Sequence, residues 1–142
     1  MCLNQNRDLG CHIDGYVAQV AHTIVLGANA DAKKVTGKKA DVVIAARNCF
    51  EAAIRLVKEG NMNMQITKAI ENISKIYKTN PLEGVLSHNV KKHMIDGDDV
   101  IINKETTEQK VVEHKFAKYE VFVIDVIVST GEGKPREVRK CY

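Results

Sequence analysis

Asp8 and Gln19 lie on either side of an Asp14-Gly15 pair. Glycine supplies a positive φ at no steric cost, so this pair predicts a tight turn and a β-hairpin around it. If Ile13 pairs with Tyr16, Asp8 falls opposite Ala21, and Gln19 shares a face with Asp8. Two carboxylates placed this way could chelate a pair of metal ions; here the second position is an amide. His88, in Leu86-Ser87-His88, lies on or beside a strand and by itself reads as a structural histidine. Asp125 interrupts the apolar run Val121, Phe122, Val123, Ile124, Val126, Ile127, Val128. A carboxylate there is costly unless it is paired, metal-bound or aimed at a cleft.

The elements that must position these residues follow from periodicity. Leu9 to Ile13 and residues 16–26 flank the turn, and residues 28–34 form a polar connection. Thr36 is the expected cap of a helix whose apolar positions are Ala40, Val43, Ile44, Phe50, Ala53, Ile54 and Val57. Gly60 is its expected left-handed C-cap. A second helix over residues 63–78 carries the stripe Ile66, Ala69, Ile70, Ile73, Ile76 and Tyr77, and Asn80-Pro81 ends it. Both stripes read as core faces. Residues 84–90 and Val100–Ile102 read as strands around an Asp96-Gly97-Asp98 turn. Residues 120–129 give the strongest strand signal before Gly131, Gly133 and Pro135 break it. Hairpin, two helices, then strands is not the alternation of a doubly wound sheet, so the expected class is α+β.

Composition bounds the rest. The 142 residues are 44% apolar and 27% charged, which suits one folded domain rather than a disordered chain. A net charge of +3 from 21 basic and 18 acidic residues is too weak and scattered to argue for nucleic acid. The cluster Lys134, Arg136, Arg139 and Lys140 reads as a solvated tail. Cys2, Cys11, Cys49 and Cys141 have no metal-ligand spacing and no export signal before them, so they read as reduced intracellular thiols. No apolar run is long enough to span a bilayer.

The motifs then become specific. Asp8-Leu9-Gly10, Asp14-Gly15-Tyr16 and His22-Thr23 resemble the first metal-binding hairpin of the methionine aminopeptidase (pita-bread) family. Leu86-Ser87-His88 resembles the segment bearing that family's histidine ligand, and Ile124-Asp125-Val126 with Ser129-Thr130-Gly131-Glu132-Gly133-Lys134 the strand bearing its next carboxylate. Within the family the match is to the proliferation-associated, growth-factor-receptor-binding branch. It is carried by Val35-Thr36-Gly37-Lys38-Lys39-Ala40-Asp41-Val42, Arg55-Leu56-Val57-Lys58 and Glu83-Gly84-Val85-Leu86-Ser87-His88. The resemblance implies an incomplete pita-bread domain over residues 8–134, a divergent lead-in at residues 1–7 and a basic tail at 135–142.

Active members of that family hold two divalent ions with two aspartates, a histidine and two glutamates. The resemblance places the first aspartate on Asp8, the second on Gln19, the histidine on His88 and the first glutamate on Asp125; the second glutamate belongs to a later strand. The substrate-contacting histidine of active members falls on Ile95 or Asp96, and His93 does not fit. Gln19 removes a charge that two dications need. Asp125 falls short of a glutamate's reach by more than about an ångström, where metal–ligand distances tolerate about 0.2 Å. These positions therefore read as vestigial, with no metal, no cofactor and no catalytic residue expected. The resemblance implies a non-enzymatic scaffold that binds RNA, ribosomal particles and regulatory proteins in cytoplasm, nucleus and nucleolus, away from membranes. The alternatives are a metal-dependent methionine aminopeptidase and a non-functional truncated product. An apolar sheet edge at residues 120–129 is expected to invite self-association.

Overall fold

The computed structural model describes residues 4–25 and 35–136. Leu26, the connection at 28–34, Cys2, Cys141, Arg139 and Lys140 lie outside them. Strands β1 (Asn4–Ile13) and β2 (Tyr16–Val25) form an antiparallel hairpin. Its register pairs Ile13 with Tyr16 and Asp8 with Ala21, as the turn pair predicts. Asp14 and Gly15 both have positive φ, 50° and 83°, which is what a two-residue hairpin turn requires. A Cβ on Gly15 would lie 2.3 Å from the His93 ring, so close approach as well as φ demands glycine there.

Helix α1 (Lys38–Leu56) starts one residue later than a Thr36 cap would place it. Gly37 is the N-cap and no side chain caps the end; the Gly37 carbonyl instead accepts from the Ala40 and Asp41 N–H groups. The helix ends at Leu56, so Gly60 does not cap it. Gly60, at φ 90°, turns the chain towards the next helix and donates its N–H to the Phe116 carbonyl. Helix α2 (Asn63–Ile76) stops where Lys78 takes a left-handed φ of 53°.

The two helices meet through small side chains. Ala45, Cys49 and Ala53, four apart, form the buried face of α1, while Ile44 and Ile54 are exposed. Cys49 Sγ sits 3.6 Å from the Ile70 carbonyl and from Ser74 Oγ, so the backbones approach closely. Ile66 and Ile70 are covered by this contact and by the sheet, whereas Ile76 points to solvent. Burying an isoleucine stabilises by about 1.5–3 kcal/mol, so these two residues anchor α2.

The rest of the chain is β3 (Asn80–Pro81), β4 (Leu86–Val90), β5 (Val100–Ile102), β6 (Val121–Val123) and β7 (Val128–Ser129). β4 is central in an antiparallel sheet of order β5-β4-β6, and β3 pairs with β7. The single strand expected over 120–129 is therefore two short ones. The reason is Ser87: its Oγ accepts the Asp125 N–H at 2.9 Å and donates to the Asp125 carbonyl at 3.2 Å, in place of a backbone ladder. Buried asparagines do similar work. Asn103 Nδ2 donates to the Leu82 and Ile127 carbonyls, joining the two sheets. Asn63 Nδ2 donates to the Val100 and Val112 carbonyls and its Oδ1 accepts from Met64 and His114, fixing the irregular segment before β6. The core comprises Cys49, Ala53, Ile66, Ile70, Ile101 and Phe116. No helix among the described residues is long and apolar enough to cross a membrane.

Candidate functional site

Three of the four residues singled out by sequence come together electrostatically. Burial pushes the Asp125 carboxyl above its ordinary value, the Asp8 charge adds to that push, and His88 opposes it. Asp8 stands on β1 and His88 on β4, where His88 lies between Val100 of β5 and Val123 of β6. Asp125 follows β6 and is held by its backbone to Ser87, the neighbour of His88. Gln19 stands opposite Gly10 on β2, so it takes the Asp8 face through the hairpin register.

His88 is largely buried. Its Nδ1 lies 3.4 Å from the Asn89 carbonyl and 3.8 Å from Asp96 Oδ1, the latter on an exposed loop. Ile95 and Asp96, the positions where a substrate-contacting histidine would be sought, both face solvent. His93 serves the hairpin instead. Its N–H donates to the Gly15 carbonyl at 2.8 Å and its ring fills the space beside Gly15. Lys92 adds to this tie, with Nζ 3.1 Å from Asp14 Oδ2 and 5.2 Å from the centre of the Tyr16 ring. The loop after β4 thus fixes the hairpin tip, and with it the approach of Asp8 to Asp125.

Sequence reasoning missed a second group. Asp99, His114 and Glu120 each offer a ligand atom, and these atoms lie within 4.8 Å of one another. Among the described residues this is the group with such spacing; Asp8, His88 and Asp125 are not. Burial works to raise the Glu120 carboxyl, but the Ala117 N–H and His114 outweigh it and hold the carboxyl below its ordinary value. The three residues sit on irregular backbone, where no periodicity marks them. Only tertiary folding brings them together.

Known proteins align with these positions. The model of metallopeptidase family M24 matches residues 6–132. Proliferation-associated protein A of Dictyostelium discoideum is 47% identical over 130 residues, covering 92% of this chain and 34% of that protein. An Arabidopsis thaliana protein named ERBB-3 binding protein 1 is 43% identical over 129 residues, 91% of this chain and 32% of its own length. A solved thermophilic Arx1 superposes with a TM-score of 0.84 at 25% identity, over 96% of this chain and 42% of Arx1. The methionine aminopeptidase of Thermotoga maritima shares the fold, at a TM-score of 0.73 and 20% identity over 90% of this chain and 47% of the enzyme. The chain spans about a third of the length of these curated relatives. On these matches the chain belongs to metallopeptidase family M24, has its pita-bread fold, and resembles that family's proliferation-associated members.

Proposed function

We propose that this chain is a non-catalytic binding scaffold whose metal positions are vestigial. The observation that carries the reading is the amide at position 19. The hairpin register puts Gln19 on the Asp8 face, and the family resemblance makes it the counterpart of the second metal-binding aspartate of active members. A pair of dications there would face one fewer negative charge, and Asp125 cannot reach as far as a glutamate. This donor set is short of both charge and reach for a two-metal centre.

The names of the relatives support the rest of the reading. One is called proliferation-associated and another ERBB-3 binding. By this analogy the scaffold binds regulatory proteins, and the family resemblance extends the reading to RNA and ribosomal particles in cytoplasm, nucleus and nucleolus. The basic residues Lys134 and Arg136 lie beyond β7, where they can meet phosphate without disturbing the core. Sedimentation of the tagged chain with purified ribosomal particles at two salt concentrations tests this. Co-migration that weakens with salt is expected; migration only as free protein at low salt would overturn the scaffold reading.

A further inference from the structure

His114 is held at both ring nitrogens. Nδ1 lies 3.1 Å from Asp99 Oδ1, and Nε2 lies 3.0 Å from Glu120 Oε2. The three residues come from different segments that meet at one end of the central sheet. Asp99 immediately precedes β5 and Glu120 immediately precedes β6, which flank β4 on opposite sides. His114 reaches this end from the irregular segment that Asn63 fixes.

Each carboxylate is also oriented from behind. Asn89, itself buried, donates from Nδ2 to Asp99 Oδ2 at 2.7 Å, which leaves Oδ1 facing the imidazole. The Ala117 N–H donates to Glu120 Oε2 at 2.9 Å. The imidazole is walled by Phe116 and Phe122, with ring centres 5.6 and 5.9 Å away. Metal sites carry such outer partners, which fix and orient the ligating groups.

We propose that Asp99, His114 and Glu120 form a binding site for one divalent transition-metal ion, separate from the Asp8, His88 and Asp125 positions. One imidazole and two carboxylates suit zinc, manganese or cobalt better than calcium or magnesium, which prefer all-oxygen shells. Metal–ligand bonds of about 2.0–2.2 Å place neighbouring ligand atoms about 3.3–3.5 Å apart. The ion takes one of the two ring nitrogens, so the carboxylate now at the other gives up that pairing and swings round to the ion, and the ligand atoms, within 4.8 Å of one another, close by roughly an ångström. Binding would cross-link the β5 and β6 ends of the sheet to the segment bearing His114.

Cobalt(II) and zinc titrations of the 142-residue chain, followed by calorimetry and visible absorption, test the site. Saturation at one equivalent is expected, with cobalt paramagnetically broadening the His114 ring resonances and leaving those of His88 sharp. His114→Ala and Glu120→Gln should each weaken binding by about tenfold or more, and His88→Ala should leave it unchanged. Far-UV circular dichroism checks that each variant is folded, and the ring resonances decide the matter in the unmodified chain if one is not. Three results would each overturn the proposal: no saturable binding at millimolar metal, cobalt–thiolate charge-transfer bands, or binding lost in His88→Ala and kept in His114→Ala.

Discussion

Ser87→Ala removes one oxygen and two hydrogen bonds. Ser87 is buried, and its Oγ both accepts the Asp125 N–H at 2.9 Å and donates to the Asp125 carbonyl at 3.2 Å. Alanine leaves both backbone groups without a partner. An orphaned buried polar group costs about 1–3 kcal/mol, and the half-buried position of Asp125 puts each group at the low end, for a loss of about 2–3 kcal/mol. At a urea slope of about 2 kcal/mol per molar, the midpoint should fall by roughly 1 M. The bonds go to backbone, so Asp125→Asn leaves them intact, and the double variant should lose about what Ser87→Ala loses alone. Urea melts of the three variants measure this. A Ser87→Ala midpoint within about 0.2 M of the original would refute the claim that the serine replaces the ladder between β4 and the 124–127 segment.

Asp125→Asn should cost little at neutral pH, and its effect should depend on pH with a definite sign. Burial and the Asp8 charge raise the folded carboxyl, so the stability tied to its protonated form is present in acid and lost as pH rises through the folded value. Relative to the original chain, the asparagine variant should gain ground as pH rises from about 4 towards neutrality; a midpoint difference independent of pH, or a large loss at neutral pH, would contradict this. The hairpin presents Leu9, Ile13, Tyr16 and Val20 on one face, each at least 63% exposed. Together with the β6 edge, where Val121 is exposed, this face should make the chain self-associate or bind a hydrophobic dye, and Ile13→Lys with Val20→Glu should reduce both. A monomer that sediments without dye binding would count against it.

Much of the frame was legible because local rules decide it. Asp14-Gly15 fixes the hairpin register, and with it the relation of Gln19 to Asp8, from turn chemistry alone. The α2 stripe at Ile66 and Ile70 is a core face as its period requires. Two readings failed where long-range contacts took over. Of the expected α1 stripe only Ala53 is fully buried, while Ile44 and Ile54 are exposed; Ala45 and Cys49 complete the contact, because small side chains let α2 approach. The apolar run at 120–129 promised one strand, but a serine 38 residues away in sequence supplies the bonds that a continuous ladder would have made. His114 lies in a segment without periodicity, so nothing local marked its meeting with Asp99 and Glu120.

The central claim is that the family's metal centre does not operate in this chain. It is tested most directly by incubating the purified protein with cobalt or manganese and short peptides that begin with methionine. No methionine release above that of metal alone is expected, in the original chain and in a Gln19→Asp variant, since Asp125 still falls short. Metal-dependent release by the original chain that His88→Ala abolishes would contradict it.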